Sequence, residues 1–154
     1  MSGRNMTADE IELAKTVYKS EIKYDQVKIF NEKWTLFQSK DRAMSPNGNI
    51  YYPEGNADYC KDFSDSSVDI HKKATFIHEL AHVWQHQQGV NVIARGAFNR
   101  NYDYLPLTVS TQFDDLGIEQ QAQLIRDYFY LLNKFYGKDW PPISVYIRVI
   151  PFLP

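Results

Sequence analysis

The chain has 154 residues, 44% of them hydrophobic and 23% charged, with a formal net charge of −2. That length suits one domain around one hydrophobic core, and that composition excludes long disorder. Charges of both signs are scattered, so no basic block argues for nucleic acid, and Cys60 stands alone, which excludes an intrachain disulfide or a cysteine-rich zinc finger.

The opening "MSGRNMTADE" lacks the apolar core of a secretory signal. No window approaches the roughly 20 apolar residues of a membrane-spanning helix. The expectation is a chain made and folded in a cytoplasm, with export only by a route that reads no cleavable signal.

Residues 7–18, "TADEIELAKTVY", predict a short helix, opened by a capping-box pattern at Thr7 and Glu10. "YDQVKIF" (24–30) alternates like a strand at Val27 and Ile29. "AMSPNGNIYYPEG" (43–55) predicts two short strands around a turn at Asn47-Gly48, and 53–67 is polar and loop-like. From about Val68 to Gln88 the pattern is helical, with Gly89 suited to a left-handed stop. Ile70, Ala74, Ile77, Ala81 and Trp84 form one apolar stripe, and Phe76, Leu80 and Val83 a second beside it. A helix apolar over so much of its girth belongs inside the fold.

Residues 90–116 read as strand and irregular loop. A second long helix is predicted from about Gly117 to Tyr136, ended by Gly137, with a seam of Ile118, Ala122, Ile125, Phe129, Leu132 and Tyr136. In "WPPISVYIRVIPFLP" the prolines argue against a helix, so Ser144 to Ile150 is assigned as a strand. The tail 143–154 either completes the sheet or docks on a partner. The fold class expected is α+β, one domain over 1–154 with two long core helices and a small sheet.

His78-Glu79-Leu80-Ala81-His82 is an H-E-x-x-H pattern inside the first long helix. Positions i and i+4 lie about 40° apart around a helix and about 6 Å along it, so two imidazoles can converge on one Zn²⁺. Glu79 projects beside them and can take a proton from a water that the metal acidifies. The bare pattern arises by chance in roughly one of a few hundred chains this long. The context sharpens it: from Thr75 to Trp84 the motif's own glutamate is the one acidic or basic residue other than histidine. The bland alternative is two core histidines bonded to backbone.

A third ligand must come from elsewhere. His86 lies four beyond His82, but three histidines at i, i+4 and i+8 spread about 12 Å along the helix, too far for one ion. Six beyond His82, where some zinc peptidases carry a histidine, stands Gln88, and His71 reads as a surface residue. Glu119, in the first turn of the second long helix and beside seam residues Ile118 and Ala122, is the best candidate. Asp114 and Asp115 read as caps, and Asp127 lies across from the seam. Tyr102 and Tyr104 are candidates for stabilising an oxyanion, and Arg126 for orienting a carboxylate or substrate.

"TFIHELAHVWQHQQG", with "AMSPNGNIYYPEG" before it and "GIEQQAQLIRDYF" after it, resembles the small zincin-like metallopeptidases associated with Vgr and Rhs proteins of bacterial type VI secretion. It resembles, more distantly, bacterial zincin-like domains with an H-E-L-x-H-V-x-Q core. The resemblance runs over 6–137. It implies a zincin-like fold, a Zn²⁺ cofactor, His78, His82 and Glu119 as metal ligands and Glu79 as catalytic base. It further implies an effector role, with a peptide or protein substrate, a Vgr- or Rhs-type secretion protein and an immunity protein as partners. Such a protein is cytoplasmic in the producing bacterium and exported by type VI secretion without a signal peptide. One departure stands out: four beyond the ligand glutamate, where thermolysin-like enzymes often place an aspartate behind a zinc-bound histidine, this chain has Gln123, so that support must differ or come from another segment.

The function expected is a metallopeptidase. Its rivals are a secretion adaptor or chaperone that keeps zinc for structure, and a zinc amidase cutting the peptide stems of a cell wall.

Overall fold

The computed structural model describes residues 3–96 and 100–153. The first helix, α1 (Ala8–Tyr18), starts as its sequence predicts: Thr7 Oγ1 accepts from the Glu10 amide at 3.0 Å, and Glu10 Oε1 accepts from the Thr7 amide at 2.9 Å. Glu10 is fully buried, and its carboxylate also takes two bonds from Arg4, at 2.8 and 2.9 Å, and one from the Phe63 amide at 2.8 Å. A buried carboxylate needs such partners, and these pin the N-terminal segment to the loop before the next helix.

That segment contributes β1 (Arg4–Asn5), which pairs antiparallel with β2 (Lys28–Phe30), and β2 pairs in parallel with β3 (Ile50–Tyr51). The expected strand over 24–30 is shortened, because Tyr24–Gln26 forms a 3₁₀ turn first. The hairpin expected over 43–55 reduces to β3 and one antiparallel bridge, Met44 to Tyr51.

Two helices carry the centre of the molecule. α2 (Ile70–Gln87) is capped by Asp69, which accepts from the His71 amide at 2.7 Å, and Gly89 follows it at φ +89°. α4 (Ile118–Leu132) packs along α2, with the short α3 (Val92–Gly96) against both. Both stripes of α2 are buried except for half-buried Ile70: Phe76 stacks on Phe63 with centroids 4.4 Å apart, and Tyr18 of α1 donates to the Ile77 carbonyl.

Several expectations are corrected. Among the described residues, 90–116 holds no strand but α3 and a 3₁₀ turn at Phe113–Asp115; residues 97–99 of that stretch lie outside the described ones, as does Pro154 of the tail. α4 stops before Gly137, because the chain turns at Asn133 and Lys134 (φ +63°). Gly137 instead lies against Trp140, whose Cε2 would sit 2.2 Å from an added Cβ.

The largest correction is the tail. Residues 143–149 form a helix, α5 (Ile143–Val149), not a strand, and it completes the core rather than the sheet. Proline disrupts a helix from inside, but its fixed φ suits the start, and Pro142 is the cap residue. Tyr146, Val149 and Ile150 are buried at helical spacing, and Phe152 packs edge-on to Trp84 at 5.2 Å. Asp127 is also inside, not across from the core, because Tyr104 and Tyr146 cover that side of α4. No described helix is long and apolar enough to cross a membrane.

Candidate metal centre

α2 turns His78, Glu79 and His82 toward the start of α4, where Glu119 faces back at them; all four are buried. Glu119 Oε1 lies 3.2 Å from His78 Nε2 and 2.6 Å from His82 Nε2. The imidazole centroids are 5.1 Å apart with planes at 80°. One ligand atom from each of His78, His82 and Glu119 lies within 4.8 Å of the others, and among the described residues no other such group of three occurs.

The remaining ring nitrogens are committed to amides. His82 Nδ1 meets Gln85 Oε1 at 2.8 Å, while Gln85 Nε2 donates to the Ile118 carbonyl at 3.0 Å and to Gln121 Oε1 at 2.9 Å. Because both amide protons of Gln85 are taken, its oxygen faces the imidazole, Nδ1 carries a proton, and Nε2 is the nitrogen presented to an ion. The Gln123 side-chain amide meets His78 Nδ1 at 3.0 Å, and its other end faces the Arg126 guanidinium at 3.1 Å. The departure noted in the sequence thus keeps its place behind the histidine, with a neutral amide instead of a carboxylate. Two imidazole nitrogens, each backed by a glutamine side chain, and one carboxylate oxygen form a donor set that could hold zinc with a position left open.

Gln85 does double duty. It orients His82 and ties α2 to the turn of α4 that carries Glu119. Gln85→Ala is expected to weaken the binding of added zinc about tenfold to a hundredfold. Competition with a chromophoric chelator measures this, and an unchanged affinity would show that Gln85 does not hold the site.

The charges interlock. Burial opposes a proton on His82, yet the hydrogen bond to Glu119 and the fields of Glu79 and Glu119 raise its pKa to about 9. Burial would raise the Glu119 carboxyl, but the bonds from His78 and His82 hold it well below the ordinary range. Burial pushes the Glu79 carboxyl up, against the opposing fields of His78 and His82 and a 2.8 Å bond from Ser45 Oγ to Oε1.

These groups line a cleft of about 640 Å³. Tyr102 stands in it, its ring centroid 6.0 Å from that of His78, and its hydroxyl accepts from Arg42 Nη2 at 2.7 Å. Tyr104 does not: its hydroxyl donates to Asp127 Oδ2 at 2.6 Å in the core. Arg126 lines the cleft but is held by Asp127 Oδ1, at 3.0 and 2.8 Å, and lies 5.3 Å from the Tyr130 ring. His86 is exposed, with its ring against Gly48, and His71 is exposed with Nδ1 at 2.7 Å from the Tyr130 hydroxyl. Sequence reading missed Ser45, Gln85 and Arg42. Gln85 had a signal, three residues after His82 on one helix face, whereas Ser45 lies 34 residues from Glu79 and had none.

No protein-family model matches the chain. The type VI secretion system spike protein VgrG2b of Pseudomonas aeruginosa is 38% identical over 144 residues, which cover 87% of this chain and 14% of that protein. The chain therefore spans a small part of that relative's length. The solved effector domain of Pseudomonas aeruginosa VgrG2b matches with a TM-score of 0.78 at 37% identity, over 86% of this chain and 76% of that domain. With likeness in both sequence and fold over most of each domain, this chain belongs to the family of the VgrG2b effector domain.

Proposed function

We propose that the chain is a zinc metallopeptidase with a zincin-like fold that acts as a type VI secretion effector. The observation that carries this reading is the convergence of His78, His82 and Glu119 on one point, with the Glu79 carboxylate beside them in an open cleft. A zinc ion held there would supply Lewis acidity, polarising a peptide carbonyl and acidifying a water. Ser45 holds Glu79 Oε1, which leaves Oε2 to take the water's proton as the oxygen attacks, and later to pass it to the departing amine. The Tyr102 hydroxyl accepts from Arg42 and gives its own proton to the Glu119 carboxylate; with that carboxylate taken up by an ion, the proton would turn to the charge developing on the carbonyl oxygen.

Membership in the VgrG2b effector family supports the secretion role. On this reading a Vgr- or Rhs-type protein carries the chain out of the producing cell's cytoplasm, and an immunity protein protects that cell. The rival reading, a binding adaptor that keeps zinc for structure, drew on a free tail, and that tail is packed into the core.

Metal analysis of protein purified without chelator tests the zinc, and expression in a bacterial cytoplasm or periplasm, wild type against Glu79→Gln, tests toxicity. Absence of stoichiometric zinc, or equal toxicity of the two proteins, overturns the reading.

The raised His82 pKa gives a further check. A group whose folded pKa is about 9 against an ordinary 6.5 binds its proton more tightly when folded. Its contribution to the stability of metal-free protein is full below about pH 6.5 and is lost as pH rises through about 9. Zinc must displace that proton, so binding at pH 7 is expected to release about one proton per ion. Calorimetry in two buffers of different ionisation enthalpy counts it, and no release would mean His82 is not a ligand.

A further inference from the structure

Between β2 and Met44 the chain makes a loop that is fixed at its base and apolar at its tip. Gln38 is buried and acts as the clamp: its Oε1 accepts from the Trp34 amide at 2.7 Å, and its Nε2 donates to the carbonyls of Arg42 at 2.8 Å and Tyr51 at 3.0 Å. The Gln38 amide closes the turn on the Thr35 carbonyl at 3.2 Å. One side chain thereby ties both arms of the loop to β3. The tip nevertheless holds Leu36 and Phe37 in water, 92% and 97% exposed. Large apolar side chains held outward on an anchored loop mark a contact surface, because order without burial gains nothing for the fold.

Of the two tip residues, Phe37 reaches the cleft and Leu36 stands beside it, outside the lining. Trp34, Thr35 and Phe37 line the same cleft as His78, Glu79 and His82. From the side of α3 and α4, Val92, Ile93 and Ile118 line it too, and Ile93 is 45% exposed. A chain lying across the Glu79 carboxylate would therefore meet apolar side chains both from the loop and from α3 and α4.

We propose that residues 34–37 form a lip that grips the substrate, and that the substrate is a polypeptide with a bulky aliphatic or aromatic side chain near the bond that is cut. This rests on the peptidase reading above and narrows it. The peptide stem of a bacterial wall, built of alanine and of acidic or diamino residues, offers such a lip no bulky aliphatic or aromatic side chain, so the lip favours protein over wall.

The test uses the zinc-loaded chain and peptides in which Phe or Leu is moved through a Gly-Ala background. Wild type is expected to cleave the Phe and Leu series about tenfold faster than the plain background. Leu36→Ser with Phe37→Ser is expected to lose that advantage, bringing the ratio of kcat/KM between the two series from about ten to about one. Both positions are exposed, so the double variant gives up no buried contact. Cleavage that depends on Glu79 but shows no preference, or a variant that slows both series equally, overturns the lip and leaves the peptidase reading standing. Binding of the same peptides to Glu79→Gln protein runs in parallel. A preference for Phe that the double variant loses supports the lip even without turnover, in which case the peptidase reading is what fails. Equal binding of both series overturns the lip. Vesicles of phosphatidylethanolamine and phosphatidylglycerol form the last arm: binding to them that needs Leu36 and Phe37, with peptide preference unchanged, overturns the proposal in favour of a membrane contact.

Discussion

Replacing Glu79 by glutamine is expected to lower kcat by about a hundredfold to ten-thousandfold while zinc remains bound. Glutamine matches glutamate in shape, so the buried space is refilled without a cavity, and a side-chain oxygen can still accept from Ser45 Oγ. What is lost is the basic oxygen beside the three converging ligand atoms. Glu79 is itself outside the group that could hold the ion, so metal content and melting temperature should stay close to wild type. The measurement is kcat on a cleaved peptide, with zinc content determined on the same preparation. Full activity in the zinc-loaded variant would remove Glu79 from the chemistry. A variant that loses its metal as well would mean that Glu79 belongs to the metal's own shell.

Deleting residues 143–154 is expected to abolish cooperative folding. The segment buries Tyr146, Val149 and Ile150, and burial of each such side chain is worth about 1.5–3 kcal/mol. Three of them together approach the roughly 5–15 kcal/mol by which a whole domain is stable. The loss also reaches the cleft. Tyr146 meets the Tyr104 hydroxyl at 2.6 Å, Tyr104 donates to Asp127, and Asp127 accepts from Arg126 at the cleft wall. Without the tail, a buried carboxylate whose pKa burial already raises would lose part of its cover. Thermal melting followed by circular dichroism checks this. A truncated protein that melts within a few degrees of the full chain would show that the tail is an appendage after all.

The tail also shows where reading by sequence failed. Two adjacent prolines argue against the inside of a helix and say little about what starts after them; Pro142 caps α5, and the apolar residues of "ISVYIRVI" fit a helix once Tyr104 and Asp127 are there to be covered. The sheet was hard to read for a different reason. Strands of two or three residues, such as Arg4–Asn5 and Ile50–Tyr51, are too short to show alternation, and what holds them is pairing with distant segments. Gln123 stands between these cases. Its place four residues after Glu119 put it behind the site, but only the packing of α4 on α2 showed that its amide meets His78.

By itself the sequence determined what lies within a few turns of one helix: the cap at Thr7, the buried girth of α2, and His78, Glu79 and His82 on one side of it. Those features follow from repeat distances along a single backbone, which residue spacing encodes directly. Tertiary structure decided that Glu119, a candidate from its place in the second long helix, closes on the two histidines, that Ser45 bonds Glu79 and Gln85 ties α2 to α4, and that an apolar loop stands at the cleft's rim. Each of these joins segments whose approach is set by how helices and loops pack, and packing is a property of the whole chain rather than of any stretch of it.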